Sequence, residues 1–227
     1  MTDRPRGGLA ALCIAQVASW GLLYYSLPVA VPRIADDTGW SHTTITAALT
    51  IGLLVSAIAG LRVGKLLDAT GPRKLMPGGS LTGVLALLLV AWSPNVFWFY
   101  VAWLVAGLAQ SAVLYPPAFA VITRWYGPQR VRPLTILTLV GGLASTIFAP
   151  IVAYLIEQFG WRTSYVILAI ILGVITVPLH VVFLNGQWSD APTTTTSPQE
   201  RTQNTSAVRV ITRSPRFILL STVMSLA

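Results

Sequence analysis

Long apolar blocks separated by short polar stretches run through the first 184 of the 227 residues. The first block, Leu9 to Val31, contains no Asp, Glu, Lys, Arg or His. Five more follow: Thr43 to Leu67, Leu75 to Trp92, Phe97 to Thr123, Leu134 to Ile156, and Ser164 to Leu184. A helix needs about 20 such residues to cross the hydrocarbon core of a bilayer. The backbone in hydrocarbon must satisfy its own hydrogen bonds, which leaves helices or a closed barrel. Barrel strands alternate apolar and polar residues, and these blocks do not. The pattern predicts an all-α integral membrane protein with six spans over residues 1–184.

The polar stretch that follows, with Asp190, Thr193 to Thr196, Pro198 and Glu200, has the composition of a linker, placed at 185–215. A last apolar run starts near Phe217 and stops at Ala227. At about 1.5 Å per residue it is far too short for a core about 30 Å thick. Residues 216–227 are therefore expected to be the truncated start of a seventh span, and the chain a fragment of a longer protein.

Only 10% of the residues are charged and 54% are hydrophobic, where a soluble domain carries about 25% charged residues. The net charge of +8 invites a nucleic-acid reading. The bases lie between apolar blocks, however, and fall on one side of them: Arg4, Arg6, Lys65, Arg73, Lys74, Arg124, Arg130, Arg132 and those of the linker, against Arg33 and Arg162 on the other. That is the positive-inside asymmetry of a multi-pass protein of the cytoplasmic membrane, with N-terminus and linker cytoplasmic and no nucleic-acid partner. Trp40, Trp92, Trp98 and Trp161 at outer helix ends, and Trp125, Tyr126 and Trp188 at inner ends, read as an interfacial aromatic belt. The apolar run behind Arg4 and Arg6 exceeds the roughly 7–15 residues of a signal-peptide core and reads as a retained helix. Cys13, the single cysteine, has no disulfide partner.

One motif occurs twice. An acidic residue, two residues, Gly, one residue and Arg appear as Asp68, Gly71, Arg73 and as Glu157, Gly160, Arg162. The loops that carry them lie three helices apart and so face opposite sides, which implies two inverted three-helix repeats. A weaker echo sets Tyr24 and Arg33 against Tyr115 and Arg124, and Pro28 and Pro32 against Pro116 and Pro117.

The first copy lies within Gly64, Lys65, Leu66, Leu67, Asp68, Ala69, Thr70, Gly71, Pro72, Arg73, Lys74. This resembles the signature loop between helices two and three of the major facilitator superfamily of transporters, with Ala69 where a base is usual and Pro72 displacing the basic pair by one residue. Gly39, Trp40, Ser41 and Phe159, Gly160, Trp161, Arg162 resemble loops of bacterial members. The resemblance implies a six-helix N-terminal half-bundle, with a missing C-terminal half as partner, and a signature loop of Gly64, Asp68, Gly71, Arg73 and Lys74 that helps hold one side shut. In physical terms Gly64 would admit a neighbouring helix, Gly71 a tight turn, and Asp68 an ion pair with Arg73. Trp103 stands where proton-coupled relatives often have arginine. Gly141, Ala149 and Pro150 form a degraded version of the antiporter Gly-Pro element, so both positions depart from proton-driven antiporters.

No Asp or Glu lies in the middle of any block, which removes the usual proton-relay carboxylate. Candidate pathway residues are Gln16, Trp20 and Tyr24, four apart on one face, with Trp103, Gln110, Tyr115, Thr138 and Ser145; the alternative role for such residues is to join helices. Arg62 and His180 read as interfacial. No metal-ligand spacing, nucleophile set or phosphate-cradling glycine loop is present, so neither a cofactor, a metal nor an enzyme is expected. The expected function is secondary transport of a small organic solute by alternating access. The resemblance hints at a monocarboxylate or other organic anion; the alternatives are drug or metabolite efflux, or a truncated non-transporting scaffold. Membrane lipid is the other expected partner.

Overall fold

The computed structural model describes residues 5–185 and Trp188; the rest of the linker and the run at 216–227 lie outside the described residues. Every regular element among the described residues is helical. Five helical segments are long and apolar enough to cross a membrane. The first, Gly8–Thr38, joins α1 (Gly8–Trp20), a π-helical turn (Gly21–Tyr25) and α2 (Ser26–Thr38). Next come α3 (His42–Thr70) and α4 (Pro72–Ala91). The fourth joins α5 (Val96–Val113) to α6 (Tyr115–Tyr126) across an extended Leu114. The last joins α7 (Val131–Gly141) to the long α8 (Ala144–Phe183).

Local chemistry explains the boundaries. Ser41 caps α3 by accepting from the Thr44 N–H, and Asn95 caps α5 by accepting from the Trp98 N–H. Gly39 ends the first segment in the left-handed conformation. Between α3 and α4, Gly71 takes φ 77°, ψ 173°, and inside α8 Gly160 takes φ 72°, ψ 162°. Both conformations are closed to residues with a Cβ, and they occur at equivalent positions of the repeated motif.

Packing shows what Gly160 does. Phe148 packs on Gly21, and the Trp161 indole reaches Asp37 at 2.8 Å, so the arm before Gly160 runs parallel to the first segment. After Gly160 the order reverses: Leu172 lies at Gly83, His180 at Ser80 and Phe183 at Gly7. The chain therefore doubles back at Gly160, and the two arms correspond to the blocks expected at Leu134–Ile156 and Ser164–Leu184. The expected boundaries need two further corrections. The block Phe97–Thr123 is broken at Leu114, because Pro116 and Pro117 cannot donate to the turn before them. The block Leu134–Ile156 is interrupted between α7 and α8 at Gly142 and Leu143.

The core is built on close backbone approach. A Cβ on Gly107 would run into the Gly52 carbonyl, and one on Gly52 would lie 2.9 Å from the Trp103 carbonyl. Small residues at such crossings bring membrane helices into van der Waals contact where no hydrophobic force separates helix from lipid. Trp103 fills the space beside this crossing with no exposed surface. At Gly64, expected to serve such an approach, a Cβ would meet nothing within 4 Å among the described residues. Trp161 and Trp125 are also buried, at 2% and 5% exposure, rather than set in an interfacial belt, whereas Trp92 and Trp98 are exposed as expected.

Replacing Gly107 with alanine should force α3 and α5 apart and lower stability by about 1–3 kcal/mol. Gly64→Ala should be neutral or slightly stabilising, by up to about 1 kcal/mol from helix propensity. Thermal unfolding of the two variants in detergent checks this, and equal behaviour would contradict the packing account.

Candidate functional site

Two prolines create the central feature of the bundle. Val113, the last residue of α5, would give its carbonyl to the N–H of residue 117, which is a proline and has none. Gln16 fills the vacancy: its Nε2 donates to the Val113 carbonyl at 2.6 Å. In the first segment the π-helical turn pairs a carbonyl with the N–H five residues on, so Pro28 leaves the Leu23 carbonyl without a backbone donor. The Leu22 carbonyl accepts from Ser26 Oγ at 2.6 Å, and the Leu23 carbonyl from Gln110 Nε2 at 2.8 Å. Each segment thus lends a glutamine to the carbonyl the other cannot satisfy. Gln16 and Gln110 have no exposed surface, so in this conformation both join helices.

Beside this clasp lies an aromatic group. Trp20 contacts Tyr24, Tyr25 and Tyr115, with ring centroids 5.3, 6.4 and 5.1 Å apart. Tyr24 and Tyr25 meet edge to face at 5.0 Å, and Tyr115 stacks on Phe119 at 5.1 Å. All five are half-buried. Tyr115 leans into α7, where Gly141 leaves room for its hydroxyl, and donates weakly, at 3.4 Å, to the Thr138 carbonyl. Thr138 itself is exposed and its hydroxyl returns to the Leu134 carbonyl; Ser145, at the start of α8, is half-buried. Trp20, Tyr24, Tyr115 and Thr138 are therefore brought together, while Trp103 sits apart in the α3–α5 crossing. Tyr25 and Phe119 were not singled out from sequence. A 3.6-residue period pairs Trp20 with Tyr24 alone, and the wider π turn brings in Tyr25 as well; only Pro28 signals such an irregularity.

The two ends of the bundle carry related polar clusters. At one end Asp68 faces Arg124 of α6 at 3.9 Å. Arg73, the partner expected from sequence, is exposed with Lys74 at the start of α4, and the α3–α4 turn leaves Arg124 as the cation beside Asp68. The Arg124 guanidinium lies 4.3 Å from the centre of the Trp188 ring, and the Trp188 indole donates to the Asp68 carbonyl at 3.1 Å. With 74% of the Asp68 side chain exposed, this long ion pair contributes little by itself; the cation–π contact adds to it. At the other end Arg162 lies over Trp161 at 4.1 Å and donates to the Ser93 carbonyl at 3.1 Å, beyond the end of α4, where a cation complements the helix dipole. The Trp161 indole donates to Asp37. Glu157, the second acidic member of the repeat, is exposed.

His180 is not interfacial as expected. It is fully buried, with Nδ1 2.9 Å from Ser80 Oγ, where it ties α8 to α4. Arg62 is exposed. No group of three His, Cys, Asp or Glu that could hold a metal occurs among the described residues.

The clasp makes a quantitative prediction. Gln16→Ala should cost about 1 kcal/mol, within the range for hydrogen bonds inside membrane proteins. In a Pro117→Ala background, which restores an N–H for Val113, the same substitution should cost clearly less. A double-mutant cycle by unfolding in mixed micelles reads the coupling, and a coupling of zero would mean that Pro117 does not free the carbonyl.

The chain is 26% identical over 159 residues to the uncharacterised MFS-type transporter YcxA of Bacillus subtilis (strain 168), covering 70% of this chain and 38% of that protein. It is 26% identical over 161 residues to a probable L-galactonate transporter of Escherichia coli (strain K12), covering 70% and 35%. It is 29% identical over 189 residues to monocarboxylate transporter 11 of Mus musculus, covering 79% and 41%. The matched stretch thus spans about two fifths of each relative. The model of the Major Facilitator Superfamily matches residues 12–227. With apolar helices of membrane length and that match over nearly its whole length, this chain is a multi-pass membrane protein and belongs to the Major Facilitator Superfamily.

Proposed function

We propose that the chain forms the N-terminal half of a secondary transporter that moves a small organic solute across the cytoplasmic membrane by alternating access, with its basic end in the cytoplasm. The observation that carries this reading is the matched pair of backbone reversals. Gly71 and Gly160 hold nearly the same φ and ψ at equivalent places of a repeated motif, as expected of two inverted three-helix repeats. Such repeats build a bundle that can rock about a site near the bilayer midplane, and a second bundle, for which the greater length of the relatives leaves room, would close the other side of that site. Gln16, Gln110, Trp20, Tyr24, Tyr115, Thr138 and Ser145 lie around the junction of the first segment, α5–α6 and α7–α8. In this reading the aromatic members face the solute, and the glutamines hold the helices that carry them.

The signature loop supplies the gate. Asp68, Arg124 and Trp188 join α3, α6 and the linker at the basic end. A contact present in one state and broken in the other biases the equilibrium by its differential energy. The relatives' names differ in solute: one is named a probable L-galactonate transporter, and another a multidrug resistance protein, MdtL of Escherichia coli O127:H6 (strain E2348/69 / EPEC).

The gate can be tested without knowing the solute. In a Cys13→Ala background, Thr70→Cys should react with an impermeant maleimide in inside-out vesicles and not in right-side-out ones. Adding Arg124→Gln should raise the labelling rate of Ala120→Cys, beside the pocket next to Asp68, by about fivefold or more, the scale of a modest coupling energy. Labelling of Thr70→Cys from the opposite side would overturn the orientation, and an unchanged rate at Ala120→Cys would remove the gate.

A further inference from the structure

We propose that the rings of Trp20, Tyr24, Tyr25, Tyr115 and Phe119 form a recognition platform for solutes that carry an aromatic or conjugated ring, so that this half of the protein selects on the ring rather than on charge. The proposal rests on the transporter reading above and names the substrate class of its site.

Depth is the first consideration. Interfacial aromatic belts lie at the ends of membrane helices, whereas Trp20 to Tyr25 occupy the middle of the 31-residue segment Gly8–Thr38, and Tyr115 lies well inside the segment Val96–Gln129. A phenol or indole donor turned to lipid at that depth would lack a partner, at a cost. The Trp20 Nε1 is buried with no hydrogen-bond partner among the described residues. The cluster therefore suits a polar pathway better than hydrocarbon.

Packing is the second. Aromatic side chains that serve the core of this protein are fully enclosed: Trp103, Tyr165 and Phe99 have at most 1% of their surface exposed. The five rings of the platform are all half-buried and touch one another in one continuous patch. They are held by the two irregular stretches of backbone, the π turn under Tyr24 and Tyr25 and the break at Leu114 before Tyr115. Irregular backbone at membrane depth is tolerated where it is buried in protein or lines a cavity.

Charge and spacing narrow the ligand. Leu9 to Val31 and Phe97 to Thr123 contain no charged side chain, so nothing on these segments at this depth selects an anion or a cation by Coulomb attraction. Neighbouring centroids 5.0 to 6.4 Å apart mean the rings contact each other directly, leaving no gap in which a quaternary ammonium could be boxed. What remains for a ligand is the outer faces and edges of the patch, which favour offset stacking and edge-to-face contact. The Tyr24 and Tyr25 hydroxyls suit a hydrogen-bond acceptor on the solute.

The test compares matched ring pairs by calorimetry on the full-length protein in detergent: benzoate with cyclohexanecarboxylate, benzyl alcohol with cyclohexylmethanol, and benzylammonium with cyclohexylmethylammonium. Within each pair the charge is the same and the size similar. The aromatic member should bind about fivefold tighter or better, the scale of one good ring contact. Trp20→Leu should equalise the pairs, and Trp20→Phe should keep the preference. If Trp20→Leu does not remain monodisperse, Tyr25→Leu at the edge of the patch is read instead, with the same expectation. Equal binding within pairs, an order set by charge alone, a preference that survives both leucine variants, or no binding by any member would each overturn the proposal. The maleimide experiment requires no solute, so loss of the gate with the ring preference intact would remove transport and leave the platform, and the reverse result would do the opposite.

Discussion

Hydrogen bonds that proline leaves unmade organise this bundle. A carbonyl without a donor costs little at a wet surface and several kcal/mol in hydrocarbon. Pro117 frees the carbonyl of Val113, and the π turn with Pro28 frees that of Leu23; Gln16 and Gln110 answer them across the helix interface. Once that exchange is made, the register of the first segment against α5 follows. The rings one turn along each segment, Trp20 and Tyr24 on one and Tyr115 on the other, are then brought into contact. The irregular backbone and the polar side chains that repair it thus form one device.

Around this centre the two ends of the bundle use the same three residue types in different wiring. At each end an arginine lies over an indole whose N–H reaches an aspartate residue, through its main-chain carbonyl at Asp68 and its carboxylate at Asp37. The difference lies in what is joined. The Trp161 and Arg162 cluster is seated on the end of α4 and the buried start of an arm of α8. In the other cluster the Asp68 side chain is largely exposed, and Trp188 is drawn in from beyond the last described helix. A long ion pair to an exposed carboxylate can open and close with small changes in free energy, whereas the shorter hydrogen bonds made by Arg162 and the buried Trp161 suit a fixed joint.

Much of this was legible in the amino-acid sequence, because a bilayer imposes simple demands. Apolar blocks of membrane length, the one-sided placement of arginine and lysine, and the repeated acidic-Gly-Arg motif follow from solvation and steric rules that act on each segment separately. Gly71 and Gly160 are the clearest cases: an isolated glycine in a repeated turn motif announces a conformation that other residues avoid, and both adopt it. The prolines at 28, 116 and 117 likewise mark broken helices, although the sequence did not say whether each break would be a kink, a π turn or an extended residue.

Partner choice was decided only by tertiary structure. Nothing local to Asp68 indicates that Arg124 rather than Arg73 will face it, since five residues and a turn separate the near candidate while a third helix delivers the distant one. Gly64 shows the same limit: its small size permits close approach, but among the described residues no helix takes the place, whereas Gly52 and Gly107 meet because α3 and α5 cross there. Tyr25 joins the aromatic patch because a π turn shifts the periodicity by about one residue. The sequence by itself determined which stretches are apolar enough to cross a membrane and where the backbone must bend, because those are properties of a residue and its neighbours. Which side chains meet was decided by the packing of helices far apart in the chain, because contact depends on register and crossing angle, and these are properties of the whole bundle.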